Sequence, residues 1–385
     1  MSPTTVIAAD RLIVGAKESR LIGPGHVRIA GGVVTEVAEG RPVDPADVTL
    51  SGGILSPGLV DLQVNGYYGH DLADADEAAW RTIVGRLPET GVTAFLPTFI
   101  TAPVETLAAA LRRTARLVPE LPQGARVLGV HLEGPFLSER RHGAHKREWL
   151  TDPTPEALAV LLETGLVRLV TLAPERPGGL DAVRALADAG VLVSVGHSDA
   201  TADQVAQAVA AGARKVTHLF NAQTGVDHRA PGVAAQALTD PALSPGLIVD
   251  LHHVSPVVCR LAFAAAGDRI VLVTDAAAAA GMPPGRYELG GEPIELPESG
   301  PPLRVDGTLA GSALRLDEAV GNAAGLGIDL MTVVDAATRT PADLIGRPDL
   351  GRIAPGAAAD LVWLGDDLRA RATWVAGQAV FRERT

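Results

Sequence analysis

Four ionisable residues follow short apolar runs at widely separated points of the chain. Glu133 follows VLGVHL, His197 follows VLVSVG, His218 follows KVT, and Asp275 follows IVLVT. Two imidazoles and one carboxylate form a donor set that holds a catalytic divalent ion, usually Zn²⁺, and leaves a position for water. Iron(II) or another divalent ion can use the same ligands. We therefore predict a metal site with Glu133, His197 and His218 as its ligands.

Asp275 has two interpretations. Its side chain could cap the Ala-rich segment that follows it. It could instead serve as a general base that takes a proton from water and passes it to a leaving amine. The run AAAAAG has little need of a cap, so we favour the base. A single histidine after a strand is usually structural, but four such residues at one rim favour a metal centre.

The elements that must position these residues form an alternating pattern. Ala/Leu-rich segments such as PVETLAAALRRTARLV and ADQVAQAVAAG separate short Val/Ile/Leu runs, as parallel strands alternate with crossover helices. This pattern predicts an α/β fold with a closed (β/α)8 TIM barrel, whose strands end at one shared catalytic rim. The eight predicted strands are LVDLQVNG near residue 60, VTAFLPTF after Gly91, VLGVHLEG after Arg126, VRLVTLAP after Leu166, VLVSVGH after Gly190, KVTHLF after Arg214, LIVDLHH after Gly246 and IVLVTDA after Arg269.

Both ends of the chain have a different texture. TTVIAADRLIVG and HVRIAGGVVTEVAEG near the start, and DLVWLG and TWVAGQAVFRE near the end, are β-branched runs divided by Gly and polar turns. We predict that residues 1–56 and 346–385 form a small β-sandwich domain and that residues 57–345 form the barrel. The length of 385 residues allows both, because a barrel takes ~250 residues.

Composition narrows the classes of partner. The net charge of −12 argues against nucleic-acid binding, which needs a basic face. The single cysteine, Cys259, permits no intramolecular disulfide and agrees with a reducing compartment. The sequence contains no run of ~20 uncharged apolar residues, which is the pattern that would predict a membrane-spanning helix. We expect a cytoplasmic enzyme that acts on a small molecule, without a nucleic-acid or membrane partner.

A series of motifs carries a resemblance along nearly the whole chain, and HLEGPF and THLFNA are its most specific members. The chain resembles the N-acetylglucosamine-6-phosphate deacetylase family of the amidohydrolase superfamily. The motifs are PGLVD at Pro57, HLEGPF at His131, GHS at Gly196, THLFNA at Thr217, HRAPG at His228, TDA at Thr274, LAGSAL at Leu309 and GRIAPGAAADLVWL at Gly351.

The resemblance implies removal of the acetyl group from a phosphorylated amino sugar. It implies that Glu133, His197 and His218 hold the metal, with Asp275 as the base and His145 holding substrate beside the scissile amide. It also implies a phosphate site and a homodimer in which a loop of one subunit helps to complete that site of the other. The implied phosphate-binding residues are His253, Arg229 and the backbone N–H groups of Asn221 and Ala222.

The first strand departs from the pattern of binuclear amidohydrolases. Those enzymes often carry His-x-His at this point, but this chain has Gln63-Val64-Asn65, and neither amide is a good zinc ligand. The fourth strand, VRLVTLAP, offers no lysine that could bridge two metals as a carbamate. We therefore expect one divalent ion per chain. Gln63 and Asn65 are expected to make ordinary hydrogen bonds within the barrel.

Two loops depart from the family and leave the substrate open. NAQTGVD stands where NAMPP is frequent, and Tyr67-Tyr68 stands where glycines are common. We expect both loops to face the substrate. The alternatives to N-acetylglucosamine-6-phosphate are therefore N-acetylgalactosamine-6-phosphate or another N-acyl compound. A catalytically inactive scaffold is a further alternative, which the presence of all three ligands and Asp275 argues against.

Overall fold

The computed structural model describes residues 4–384. The chain begins with seven short strands, of which β5, β4, β1 and β6 form a four-stranded sheet in that order. These strands are β1 Thr4–Ala9, β2 Leu12–Val14, β3 Arg20–Ile22, β4 Gly25–Ala30, β5 Val33–Glu39, β6 Val48–Leu50 and β7 Ile54–Pro57.

A parallel barrel follows. Each strand of the barrel pairs in parallel with the next, and the eight strands are β8, β11, β13, β14, β15, β16, β17 and β18. The strands of this region are β8 Leu59–Val64, β9 Gly66–Tyr67, β10 His70–Asp71, β11 Val92–Ile100, β12 Arg126–Val127, β13 Val130–Glu133, β14 Val167–Leu172, β15 Leu192–Val195, β16 Lys215–Val216, β17 Ser244–Leu247 and β18 Val271–Leu272.

The barrel closes between its last and first strands. The N–H of Asp275 donates to the carbonyl of Gln63 at 2.9 Å, and Val64 forms a parallel bridge with Ala276. All six residues of β8 are buried, as expected for a strand covered on both faces. The eight strands predicted from the sequence are therefore confirmed, although the sixth, seventh and eighth are regular only to Val216, Leu247 and Leu272.

Within residues 4–384, ten α-helices connect and follow the barrel strands. In α5 the side chains of Thr201 and Gln204 form a capping box at the N-terminus, which explains why TADQ begins a helix. The helices are α1 Glu77–Arg86, α2 Val104–Leu117, α3 Pro155–Leu162, α4 Gly179–Asp188, α5 Ala202–Ala211, α6 Val233–Thr239, α7 Pro256–Ala266, α8 Leu316–Gly325, α9 Leu330–Ala337 and α10 Arg339–Leu344. Four 3-10 turns lie at Leu87–Thr90, Val118–Glu120, Arg147–Trp149 and Gly267–Arg269.

A small antiparallel sheet, not predicted from the sequence, follows the last barrel strand. It consists of β19 Gly285–Leu289, β20 Glu292–Leu296 and β21 Leu303–Arg304. Leu289, Ile294 and Leu296 belong to a buried cluster that also contains Ala277 and Ala310. The sheet is thereby packed onto the segments that leave the catalytic rim.

The end of the chain returns to the first strands. β22 Leu361–Leu364, β23 Ala370–Val375 and β24 Gln378–Arg382 join β7, β2 and β3 in a six-stranded sheet. Side chains of this sheet and of the four-stranded sheet share one buried cluster, which includes Ile7, Val27, Leu55, Leu361 and Trp374. The predicted fold class is confirmed. The proposed domain boundaries at 56/57 and 345/346 stay a prediction.

Among residues 4–384, no helix is both long enough and apolar enough to span a bilayer.

Candidate active site

Three predicted ligands meet at the carboxyl ends of the barrel strands. Oε1 of Glu133 lies 3.0 Å from Nε2 of His218 and 3.3 Å from Nε2 of His197. The ligand atoms of the three residues lie within 4.8 Å of one another, and all three side chains are buried. Burial alone raises the pKa of the Glu133 carboxyl, but the hydrogen bonds from His197 and His218 outweigh it and hold that pKa well below its usual range.

The two histidines are held in unusual backbone conformations. His197 has φ 47° and His218 has φ 23°. Residues other than glycine rarely adopt a positive φ, and those that do are often found at functional sites. The Nδ1–H of His197 donates to the carbonyl of Arg141 at 2.8 Å. Because that bond occupies Nδ1, Nε2 is the ring nitrogen that would bind a metal in place of a proton.

These side chains fit a divalent metal. Two imidazole nitrogens and one carboxylate oxygen are the donor types that Zn²⁺ and similar ions take in catalytic sites. The three ligand atoms converge on one buried point, and no lysine or arginine is among them. The negative charge of Glu133 can therefore be balanced by a bound cation. Glu133, His197 and His218 are thus suited to hold one ion.

Asp275 lies beside the triad, and two amides hold it there. Its Oδ1 accepts hydrogen bonds from Nδ2 of Asn65 at 2.7 Å and from Nε2 of Gln63 at 3.0 Å. Burial raises the pKa of Asp275, and the nearby charge of Glu133 adds to that effect. Oδ1 accepts both hydrogen bonds from the side-chain amides, so Oδ2 is available to accept a proton from a reactant.

His145 closes another side of the same site. Its ring lies edge-on to the ring of His197, with centroids 4.3 Å apart. The N–H of Thr101 donates to Nδ1 of His145 at 3.3 Å, so the proton of the neutral ring belongs on Nε2. Burial, reinforced by the neighbouring His197, lowers the pKa of His145 well below its usual value. The residue is therefore a neutral N–H donor at the site.

A single cavity of about 360 Å³ joins these groups. One side is polar and contains the triad, His145 and Asp275. Apolar residues of the 285–310 region and β11 form another side. The lining residues beyond the triad, His145 and Asp275 are Asn65, Ile100, Arg140, Arg141, Gly143, Ala144, Asn221, Ala222, His253, Leu289, Thr308, Leu309 and Gly311.

Three of the four expected phosphate residues line this cavity. Nδ1 of His253 lies 2.6 Å from Oδ2 of Asp250, which orients the ring and leaves its Nε2 available. The N–H of Asn221 donates to the carbonyl of His218 at 3.0 Å, whereas the N–H of Ala222 makes no hydrogen bond within residues 4–384. Ala222 also has φ 48°, which turns the backbone sharply at this point.

Comparison with known proteins identifies the family. Residues 54–380 match the amidohydrolase family. The chain belongs to this family. It is 38% identical to N-acetylglucosamine-6-phosphate deacetylase of Vibrio furnissii, over 86% of this chain and 84% of that protein. It is 36% identical to N-acetylgalactosamine-6-phosphate deacetylase of Escherichia coli O157:H7, over 97% of this chain and 99% of that protein.

Solved structures agree. An aspartate-to-alanine variant of N-acetyl-D-glucosamine-6-phosphate deacetylase from Mycobacterium smegmatis, in complex with N-acetyl-D-glucosamine-6-phosphate, superposes with a TM-score of 0.92 at 35% identity. The match covers 98% of this chain and 99% of that one. The family recognised from the sequence is confirmed, and the chain groups with its phosphosugar deacetylases.

Arg229 lies apart from the cavity of this amidohydrolase chain. It belongs to an exposed loop that spans 225–231, and its N–H donates to Oδ1 of Asp227 at 2.8 Å. Among residues 4–384, its side chain is not one of those that line the cavity. The expected contact of Arg229 with phosphate therefore requires a loop supplied by another subunit or a movement of this loop.

One expectation about the substrate loops is wrong. Tyr67 and Tyr68 do not line the amidohydrolase cavity but are buried. The Tyr67 hydroxyl donates to the carbonyl of Leu314, and the Tyr68 hydroxyl donates to the carbonyl of Arg86, whose guanidinium also covers the Tyr68 ring. Large aromatic surfaces gain more from such burial than from facing water.

The structure also reveals site residues that the sequence analysis of this amidohydrolase did not identify. Arg140 and Arg141 line the cavity, and both form ion pairs with Asp199. They precede His145 in one loop, and an arginine pair ahead of HGAH was the available signal. His252, which precedes His253, is exposed.

A buried polar network adjoins the candidate metal ligands of this amidohydrolase in the sequence, since His131 is two residues before Glu133 and Thr217 precedes His218. Nε2 of His131 bonds the Thr171 hydroxyl at 2.8 Å, and that hydroxyl bonds the Thr217 hydroxyl at 2.7 Å. Lys215 is fully buried, and Nζ has only a 3.4 Å hydrogen bond to the carbonyl of Val216 among the described residues. Burial lowers the pKa of Lys215 to about 8.

Proposed function

We propose that this amidohydrolase hydrolyses the N-acetyl group of N-acetylglucosamine-6-phosphate to give glucosamine-6-phosphate and acetate. The observation that carries the proposal is the convergence of Glu133, His197 and His218 with Asp275 and His145 on one cavity. A set of metal ligands, a carboxylate and a neutral histidine donor are together sufficient groups for amide hydrolysis by an activated water. Relatives named as deacetylases of this phosphosugar support the substrate.

One divalent ion per chain, Zn²⁺ or alternatively Fe²⁺, would be held by Glu133, His197 and His218. When bound, the ion supplies Lewis-acid chemistry that lowers the pKa of water and polarises an acyl oxygen. Gln63 and Asn65 support a single ion because their amide N–H groups are bonded to Asp275, and Gln63 also contacts Glu133.

The protein side chains divide the reaction between them. Water adds to the acetyl carbonyl carbon, and Oδ2 of Asp275 accepts one of its protons. The Nε2–H of His145 donates to the acyl oxygen as negative charge develops there. Asp275 then passes the proton to the sugar nitrogen as the carbon–nitrogen bond breaks. The second proton of the water stays on the carboxyl group, so acetic acid and the free amine leave the site, and the acid then ionises to acetate.

His253 and the backbone of Ala222 would bind the phosphate. His253, oriented by Asp250, and the N–H of Ala222 are suitable donors for a phosphate oxygen. Arg229 would reach the phosphate of a second subunit, and we infer a homodimer on this ground together with the family resemblance. A cytoplasmic location stays a prediction from the single cysteine.

An acetate-release assay on N-acetylglucosamine-6-phosphate tests the proposal. The purified chain would be stripped of metal and reloaded with Zn²⁺ or Fe²⁺. We expect metal-dependent release of one acetate for each amine formed. A fully loaded, folded chain that releases no acetate from any N-acyl phosphosugar would instead indicate an inactive scaffold.

N-acetylgalactosamine-6-phosphate is the second candidate substrate. A relative that covers 97% of this chain is named for that sugar. A comparison of kcat/KM for the two epimers decides between the candidates.

A further inference from the structure

The loop that carries His145 is attached to the small antiparallel sheet on both sides of that residue. Nη1 of Arg304 donates to the carbonyl of Ala144 at 2.8 Å. Nζ of Lys146 lies 2.7 Å from Oε1 of Glu292. Each immediate neighbour of His145 in the chain therefore contacts a charged side chain of the β19–β21 sheet.

Glu292 links the two attachments. Its Oε2 lies 3.5 Å from Nη2 of Arg304, while its Oε1 receives Lys146. All three side chains are partly shielded from solvent, with 20–30% of each exposed. Partly exposed ion pairs contribute more to stability when several charges form one network than when each pair is isolated. Removal of the Glu292 charge would loosen both neighbours of His145.

Apolar packing reinforces the same attachment. Ala144 and Ile100 pack against the buried cluster that contains Leu289 and Ile294 of the sheet. Ile100 precedes Thr101, whose N–H and hydroxyl contact Nδ1 of His145. The sheet thus borders both the loop that carries His145 and the strand that orients its ring.

We infer that Glu292 and Arg304 are positioning residues that act through His145. The inference rests on the proposed function, because it assigns His145 to the acyl oxygen. A donor must lie within hydrogen-bonding distance of the oxygen as charge develops, so small displacements of the loop reduce the rate of the chemical step. Neither Glu292 nor Arg304 contacts Glu133, His197 or His218 among the described residues, so we expect both variants to retain the metal.

The test is a double-mutant cycle between Glu292→Gln and His145→Asn. We expect Glu292→Gln to lower kcat roughly 3- to 30-fold, with KM and metal content close to wild type. In the His145→Asn background the same substitution should change kcat little, because the interaction is already lost. Glu295→Gln is the matched control, since Glu295 is exposed on the same strand.

Hydrogen exchange separates this inference from the proposed function. Glu292→Gln, but not Glu295→Gln, should accelerate amide exchange in the segment 140–149 of the metal-loaded protein. Unchanged exchange there, or an equal kcat loss in both histidine backgrounds, would overturn the positioning role. If wild type released no acetate, the proposed function would fail, and faster exchange in Glu292→Gln would still support the attachment.

Discussion

Nδ2 of Asn65 lies 2.7 Å from Oδ1 of Asp275, at the point where the first and last barrel strands meet. The end of the first strand therefore supports the candidate base, and we expect no second metal there. Gln63 acts with it, because its amide donates to the same oxygen at 3.0 Å.

The pH dependence of turnover should respond to Asn65. A carboxylate base works only when ionised, so activity falls as pH drops through its pKa. Burial and the Glu133 charge raise the pKa of Asp275, while the hydrogen bond from Asn65 lowers it. Asn65→Ala should therefore move the acidic limb of the kcat profile to higher pH. A limb that stayed in place or moved to lower pH would show that Asn65 does not stabilise the ionised base.

Metal content should follow the triad. We predict about one tightly bound divalent ion per chain, because only Glu133, His197 and His218 among the described residues form a suitable cluster. His197→Ala and His218→Ala should each empty the site, whereas Gln63→Ala should retain the ion. Elemental analysis of dialysed protein measures this. Two tight ions per chain, both needed for activity, would contradict the single-metal site.

The barrel and the ligand set could be predicted because they depend on local patterns. Apolar runs identified all eight strands, and the rule that parallel strands end at one rim brought Glu133, His197, His218 and Asp275 together. The wrong expectation for Tyr67 and Tyr68 came from family loops, since the sequence does not show which side of a turn an aromatic ring faces.

Polar contacts between residues far apart in the sequence could not be predicted, because local patterns do not show which side chains meet. Glu292 and Lys146 are 146 positions apart, and nothing in either local sequence marks their pairing. Lys215 lies on the short strand that leads to the predicted ligand His218. A strand of two residues is too short for a pattern of buried and exposed side chains, so the sequence does not reveal that the Lys215 ammonium is buried. The exposed position of Arg229, outside the cavity, was likewise not marked by the motif HRAPG that contains it.

Lys215 should cost stability at neutral pH. Burial lowers its pKa to about 8, whereas an unfolded lysine titrates near ~10.4. The folded state therefore binds fewer protons between these values, and stability should rise as pH increases from about 8 to about 10. Lys215→Met should stabilise the protein at pH 7 by roughly 2–3 kcal/mol.

Urea unfolding at pH 7 and pH 10 measures the effect of Lys215. The advantage of the Met variant should shrink at the higher pH, where the wild-type lysine is neutral. A Met variant less stable than wild type at pH 7 would mean that the buried ammonium contributes favourable interactions with Asp61, Glu133 and Asp275 that exceed its desolvation cost.

Arg229 should matter only for the phosphorylated sugar. If it binds phosphate, Arg229→Ala should lower kcat/KM for N-acetylglucosamine-6-phosphate by roughly one to two orders of magnitude, because a hydrogen bond to a charged group is worth ~1.5–3 kcal/mol. Turnover of N-acetylglucosamine should change little. Equal losses on both sugars would indicate that Arg229 stabilises the loop. Mixing Arg229→Ala with His218→Ala subunits would restore part of the activity if the loop acts across a dimer.

Acetate release by wild type and Asp275→Asn tests the central claim most directly. With N-acetylglucosamine-6-phosphate and metal-loaded protein, we predict equimolar acetate and glucosamine-6-phosphate from wild type. Asp275→Asn keeps the shape but cannot accept the proton, so kcat should fall by ~10²–10⁴ while metal content and substrate binding are retained. No acetate from the loaded wild type, or undiminished turnover by Asp275→Asn, would contradict the account.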